Sequence, residues 1–489
     1  MSPGRPRADR CPGALVLHEA ADGGLARIRL PGGLVGGGVL AALAALAESF
    51  GEHGAVELTS RGNLQLRGVP TSRRAELADQ VAELGLLPSA THERVRNIVA
   101  SPFAGLTGAG VGAGAGSSAG TPPAGGDGVP TAGARLEDLV RGLDEALCAD
   151  PELAELSGRF LFGLDDGTGD IAALAPDAWA APAPEGHWWV GPAGVAVDDS
   201  GVVGELLAVA RAFLRAAGTR DAAGTRGDGS FWRVRDLPDG GAELAAGLRA
   251  GRPAAPRPAP RPAAHPVGVW RRPDGGHAAA VHVPLGRLTR PAADLLATVV
   301  TATRPGTGQA QASPRGEPPL RITPWRSVVV PCLKDPPSFA ARARRTGLVT
   351  DPASIWTRVT ACAGRPGCAS ALADVRADAA RAVAAGLVAP VALIDGAPAD
   401  GAPVGGAPAD GASVGGVPAD GAPADGASVG GVPAGGIRAR DMPPAPTGAR
   451  AHWSGCGRRC GRPPGPHVEI VAGPAGYLVR AAGAEPKES

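Results

Sequence analysis

The sequence predicts an α+β fold duplicated about a pseudo-two-fold axis, and three observations carry that expectation. Short segments recur at an offset of 264 residues. Period-two alternation over residues 56–67 predicts sheet, while apolar stretches at 39–50 and 292–301 predict helices. Three low-complexity stretches, 105–133, 251–266 and 396–436, interrupt the pattern as insertions or linkers.

Glu57-Leu58-Thr59-Ser60-Arg61 aligns with Arg321-Ile322-Thr323-Pro324-Trp325, and residues 94–102 align with 358–366. Gly85-Leu86 and Gly347-Leu348 precede the later pair. Landmarks kept in one order argue for duplication over chance in a composition rich in Gly and Ala. Each unit reads as strand, helix, strand and then a helical module, with a ligand expected at the seam between the halves.

Within residues 56–67, Val56, Leu58, Leu64 and Leu66 share one face with the small Ser60 and Gly62. Glu57, Thr59, Arg61, Asn63, Gln65 and Arg67 share the other. This is the pattern of a sheet with one face on a core. Its polar face could be simply solvated. Arginines interleaved with Asn and Gln also suit a floor that reads carboxylates, because a guanidinium fork binds a carboxylate through two parallel hydrogen bonds.

The 489 residues suffice for two to four domains. A formal net charge of +1 gives the whole chain no electrostatic case for nucleic acid or an anionic membrane. No apolar run is long enough for a membrane span. The basic start, Met1-Ser-Pro-Gly-Arg-Pro-Arg, has no apolar stretch behind it, so no secretory signal is expected. Residues 251–266, a Pro/Ala/Arg run, are expected to be an extended spacer. The 396–436 repeat lacks large side chains to bury and is expected to be disordered. Its length is no obstacle to closure, since doubling a loop costs only about 0.6 kcal/mol.

Seven cysteines are an odd number, and four of them form two tight pairs. Cys362-Ala-Gly-Arg-Pro-Gly-Cys368 is C-x5-C, and Cys456-Gly-Arg-Arg-Cys460 is C-x3-C. Such spacing favours metal ligation in a reducing cytoplasm over disulfides. Four thiolates satisfy a cubane [4Fe–4S] cluster. The small residues between them let the backbone wrap the sulfides, and Arg365, Arg458 and Arg459 offset its negative charge. Four-cysteine zinc is the alternative, although its pairs use about two to four intervening residues, fewer than in the first pair. Helix-forming sequence follows over 369–385. Cys11, Cys148 and Cys332 show no ligand spacing and read as ordinary thiols.

Taken together, the cysteine motifs, the Arg61-x-Asn63-x-Gln65 strand and Arg96-Asn97 ahead of Pro102 resemble the sirohaem sulfite and nitrite reductases. The resemblance covers most of the chain outside the insertions. It implies duplicated ferredoxin-like half-domains plus two sulfite/nitrite reductase-type cluster-binding α/β modules, only the second holding a cluster. The implied boundaries are 14–84 and 267–346 for the half-domains, 85–245 and 347–482 for the modules, and 246–266 for the linker. Within that superfamily, residues 59–68, 360–368 and 452–461 are similar to the precorrin-3B synthase family.

That similarity implies oxygen-dependent hydroxylation of precorrin-3A with γ-lactone formation, a step of aerobic cobalamin biosynthesis. It implies a [4Fe–4S] cluster on Cys362, Cys368, Cys456 and Cys460, a mononuclear non-haem iron, and dioxygen as co-substrate. Electrons would come from NADH through a reductase or from a ferredoxin. Arg61, Asn63, Gln65, Arg67, Arg96, Asn97 and Arg159 are the residues expected to pair with or orient substrate carboxylates. His92, His452 and His467 are the histidines weighed as iron ligands, but no two-His-one-carboxylate spacing stands out. No GxGxxG follows a convincing strand, so no nicotinamide site is visible. One departure helps to choose. The reductases clamp their small anion with a Lys-Phe-Lys element, whereas Arg159-Phe160-Leu161 keeps only the first cation. Sirohaem-dependent sulfite or nitrite reduction, with sirohaem bound, is the alternative. A non-catalytic iron–sulfur protein that binds a tetrapyrrole is another.

Overall fold

The computed structural model describes residues 11–52, 54–107, 132–218, 231–257, 267–299, 318–387, 450–463, 465–474 and 476–482. The 396–436 repeat, most of 105–133 and the end of 251–266 lie outside the described residues. The chain divides into two compact units, residues 1–357 with 366–369, and residues 358–365 with 370–489.

The first unit opens with β1 His18–Ala20, β2 Gly23–Ile28, β3 Leu34–Val35, α1 Gly37–Glu48, β4 Ala55–Leu58, β5 Leu64–Val69 and α2 Arg74–Glu83. A module follows: β6 Ile98–Ala100, α3 Ala132–Ala149, β7 Phe162–Leu164, β8 Ala178–Pro182, β9 Trp188–Gly191, β10 Val195–Val197, α4 Val202–Ala216 and α5 Ala242–Arg249. The second half repeats the first as β11 Gly268–Arg271, β12 His277–His282, β13 Arg287–Leu288, α6 Arg290–Val299, β14 Leu320–Ile322, β15 Ser327–Val330 and α7 Pro336–Arg345. The second unit holds β16 Val359–Ala361, α8 Val375–Ala384, β17 Ala451–Ser454, β18 His467–Gly473 and β19 Gly476–Ala482.

Residues 56–67 form a hairpin rather than one strand. The alternation survives the reversal because the antiparallel register sets Val56 opposite Leu66 and Leu58 opposite Leu64, keeping the apolar set on one face. The turn closes where Thr59 N–H donates to the Asn63 carbonyl at 2.9 Å, and Gly62 supplies the left-handed backbone at φ 66°. The second half reproduces this turn at the offset seen in the sequence. Thr323 N–H donates to the Ser327 carbonyl at 2.9 Å, and Arg326 takes the place of Gly62 at φ 57°. Thr59 Oγ1 accepts from the Arg61 and Asn63 amides, and Thr323 Oγ1 from those of Trp325 and Ser327.

Each half completes the other's sheet. The strand orders are β1-β2-β5-β4-β13 and β11-β12-β15-β14-β3, so β13 of the second half pairs with β4 and β3 of the first pairs with β14. Buried Leu40, Leu43, Leu64, Leu66, Leu295, Leu296, Val328 and Val330 fill one shared core between the two sheets and helices α1 and α6. Gly85 and Gly347 end α2 and α7 with φ 73° and 82°, each followed by an amide returned to the helix from Leu86 or Leu348.

The modules share a second topology. In one, β6, β7 and β8 run parallel and β9 antiparallel; in the other, β16, β17 and β18 run parallel and β19 antiparallel. A helix (α3 or α8) lies in the chain between the first two strands of each. No helix among the described residues is long and apolar enough to cross a membrane.

Candidate functional site

A cavity of about 340 Å³ opens on the first half-domain, lined by Cys11, Arg27, Arg29, Arg61, Asn63 and Arg159. Strand β2 and the residues just after it supply two of the arginines, because Arg27 and Arg29 alternate with the core residues Ile28 and Leu30. The 59–63 turn supplies Arg61. Gly158 packs behind it: its carbonyl accepts from Arg29 at 3.1 Å and, at longer range, from Arg61 and the Cys11 thiol. A Cβ at Gly158 would come within 2.9 Å of Cys11, so only glycine admits this approach. Burial, with repulsion from Arg233, Arg29 and Arg27, holds the Arg61 guanidinium down at about 10. Such a cavity favours an anion with several negative groups.

Two of the predicted substrate residues face this cavity as cations, Arg61 and Arg159. Arg159 also lies 5.3 Å from the Trp232 ring centroid. Asn63 reaches the lining, but its side chain is engaged with the Leu30 amide and Asn97. Asn97, fully buried, donates to the Phe160 carbonyl and accepts from Arg29, so it orients the cavity wall from behind. Gln65 accepts from Arg27 and donates to Glu57, which makes it a brace for Arg27. Arg67 and Arg96 are placed elsewhere. Arg67 is bidentate to Asp22 and donates to the Gly367 carbonyl. Arg96 is bidentate to Asp144 and donates to the Leu86 carbonyl. Most of their donors are engaged inside the protein and neither lines this cavity, so substrate contact by Arg67 or Arg96 finds no support there.

Arg27, Arg29 and Cys11 join the cavity without having stood among the expected site residues. The alternation of Ala26-Arg27-Ile28-Arg29-Leu30 was the available signal for the arginines. Nothing in spacing marked Cys11, which was read as an ordinary thiol. Its Sγ accepts from Arg27 at 3.6 Å and Arg29 at 3.2 Å. The strap carrying it is pinned where Glu93 accepts the Ala14 and Leu15 amides, against a Gly13 that leaves no room for a Cβ.

The equivalent face of the second half is closed. Gln65 stands opposite Arg27 in the first sheet, and Val329 opposite Ala280 in the second. Trp325 takes the place of Arg61, and His282 that of Arg29. Ala280, Val329, Trp325 and Trp270 pack with Phe103 and Leu106 in an apolar cluster. Arg321 donates to the Pro102 and Ala104 carbonyls and Trp270 to that of Leu106, which straps the covering segment down. The cavity therefore belongs to one half and does not lie at the seam. Replacing Arg61 with methionine, which keeps the apolar stem, is expected to raise the Kd for a polycarboxylate ligand about 10- to 150-fold, the loss of one charge-assisted contact of about 1.5–3 kcal/mol. The ligand-free protein should melt higher, because a half-buried, repelled cation is gone; calorimetry with and without ligand measures both.

In the second unit, β16 and β17 run side by side and in parallel, and Cys362 and Gly455-Cys456 follow their carboxyl ends. Cys362 N–H donates to the Trp453 carbonyl, and Gly455 N–H donates to Cys362 Sγ at 3.1 Å. A Cβ on Gly455 would meet Ala371 at 2.7 Å, and one on Gly364 would meet Val375 at 2.8 Å. Small residues thus bring the two loops together, as a cluster's close wrapping requires. Ser454 Oγ, 1% exposed, has no partner among the described residues, leaving a buried donor beside Cys456. These features fit thiolate ligation of a cluster. Cys368 lies in the 366–369 segment that belongs to the first unit.

Two of the three histidines, His92 and His452, spend both ring nitrogens inside the protein, whereas His467 Nε2 is buried without a hydrogen-bond partner among the described residues. His92 bonds Ser89, Thr91 and the Asp150 carbonyl through its two nitrogens. His452 bonds Thr360 and the Cys460 carbonyl, and His467 Nδ1 donates to the Gly465 carbonyl. Among the described residues, the group of three possible metal ligands within reach of one another is Asp165, Asp166 and Asp170, at the end of β7. Asp165 accepts four backbone amides and so serves its own loop. Burial, with Asp165 and Asp166 nearby, pushes the Asp170 carboxyl up to about 7. The folded protein then holds this proton more tightly than the unfolded chain does. Asp170 stabilises the fold below the ordinary carboxyl value near 3.8, and that contribution is lost as pH rises through about 7. Asp170→Asn, which can still accept from Ser101, is expected to flatten the fall in stability between those limits and to add about 1–3 kcal/mol at pH 8; denaturant melts across pH measure it.

Comparison with known proteins accords with this architecture. The α+β fold is that of a solved structure, the NirA protein of Mycobacterium tuberculosis, with a TM-score of 0.57 at 19% identity, covering 93% of this chain and 73% of that one. Residues 18–84 match the nitrite/sulfite reductase ferredoxin-like half domain. Two curated relatives are the ferredoxin–nitrite reductases of Synechococcus elongatus, 36% identical over 86 residues, and of Leptolyngbya laminosa, 36% identical over 81. The matched segment spans 17% and 16% of those proteins and the same shares of this chain.

Proposed function

We propose that this chain is a tetrapyrrole-binding oxidoreductase that acts as a precorrin-3B synthase in the cytoplasm. In this reading, Arg27, Arg29, Arg61 and Arg159 hold the carboxylates of precorrin-3A, braced by Gln65, Asn63 and Asn97. Cys362, Cys368, Cys456 and Cys460 hold a [4Fe–4S] cluster, which when bound supplies electrons one at a time. One atom of dioxygen enters the macrocycle and the other leaves as water, with two electrons and two protons drawn from a protein or nicotinamide donor. The five-part division at 14–84, 85–245, 246–266, 267–346 and 347–482 belongs to the same proposal.

The observation that carries the choice is Leu161. It is 2% exposed and packs with Val99 and Ile171, so the second cation of the reductase clamp is replaced by core. Of the two clamp positions only Arg159 keeps a cation, which would leave charge developing on a small inorganic anion without its second dedicated partner. A large polyanion spread over four guanidiniums has no such need. The second reading, sirohaem-dependent nitrite or sulfite reduction, is favoured by the names of the curated relatives.

Visible spectroscopy of anaerobically purified protein separates the two. Intense sirohaem bands support the reductase and contradict the synthase. A broad iron–sulfur spectrum, with precorrin-3A gaining one oxygen atom under dioxygen and reductant, supports the synthase.

A further inference from the structure

We infer that His452 is a positioning residue for the cluster, stapling together the two segments that carry its cysteines. The inference rests on the cluster reading above and adds a role for a residue that spacing could only offer as a metal ligand. His452 lies on β17 and is fully buried. Its Nδ1 is 2.8 Å from Thr360 Oγ1, and Thr360 lies on β16, two residues before Cys362. Its Nε2 is 3.1 Å from the carbonyl oxygen of Cys460. A carbonyl only accepts, so Nε2 carries a proton, and Nδ1 pairs with the Thr360 hydroxyl, which also lies 3.3 Å from the Ala451 carbonyl.

One ring therefore spans from the strand that delivers the first pair to the last cysteine of the second. The two pairs are separated by 87 residues, counted from Cys368 to Cys456, and the long 388–449 segment between them lies outside the described residues. Parallel pairing of β16 with β17 aligns the strands, but it does not reach Cys460, which lies six residues beyond the end of β17. Cys460 is exposed, so little packing holds its loop. The His452 bond is a specific tether on it. Second-layer partners of this kind typically affect metal affinity by about 10–100-fold.

The test uses the full chain, reconstituted anaerobically with iron and sulfide. His452→Ala removes both bonds. His452→Gln can retain a donor and an acceptor. Thr360→Val removes one bond while keeping a β-branched residue in the strand. The expected result is a cluster lost to a chelator about 10-fold faster or more in His452→Ala, with altered g-values of the reduced cluster. Thr360→Val should fall between, and His452→Gln should recover much of the difference. Thermal melts of the apo-proteins control for folding. A His452→Ala protein that matches wild type in cluster lifetime and g-values overturns this inference alone. A wild-type chain that takes up no iron and sulfide overturns the cluster reading with it.

Discussion

Cys456→Ser is expected to purify without the brown iron–sulfur absorption and essentially without iron or acid-labile sulfide. Serine preserves the size of the side chain, but its hydroxyl stays protonated at neutral pH, so one of four anionic ligands disappears. The fold should survive, because Cys456 is only partly buried and the strand before it is held by its own ladder. Cys148→Ser is the control: that thiol lies on α3, without ligand spacing, and its loss should leave the metal content unchanged. Equal iron in both variants would remove the second cysteine pair from the site.

Arg96→Ala is expected to cost about 3–5 kcal/mol of stability and to leave tetrapyrrole affinity unchanged. Arg96 is 3% exposed, and both Nε and Nη2 bond the Asp144 carboxylate, at 2.7 and 2.6 Å. Truncation strands that carboxylate in the interior and also strips a donor from the Leu86 carbonyl. The net worth of the pair is smaller than this cost, so the double replacement of Arg96 and Asp144 by apolar residues should recover much of it. Guanidinium denaturation gives the stability and calorimetry the affinity. A well-folded Arg96→Ala protein that no longer binds ligand would return Arg96 to the site.

The contrast between Arg61 and Arg96 shows what was legible in the sequence. Both stand in motifs that resemble those of the reductases, and both were expected to meet carboxylates. Their difference lies in Asp144, a helix residue 48 positions from Arg96, which no local pattern could pair with it. Arg67 and Asp22 pose the same problem. The duplication was legible through the Thr that opens each turn, whose hydroxyl accepts two amides, and through Gly85 and Gly347, which end equivalent helices. The closure of the second half was not, because it depends on Phe103 and Leu106 arriving from the intervening module. The hairpin at 56–67 was mistaken for one strand because an antiparallel turn of the right length preserves period two.

In the reading proposed above, two distant cysteine pairs hold one cubane cluster. Quantitative iron and sulfide analysis of the anaerobically purified chain, read with electron paramagnetic resonance after reduction, tests it most directly. About four iron and four sulfide per chain, with a single reduced-cluster signal, is the predicted result. Protein free of iron and sulfide, or one zinc per chain in their place, would contradict it.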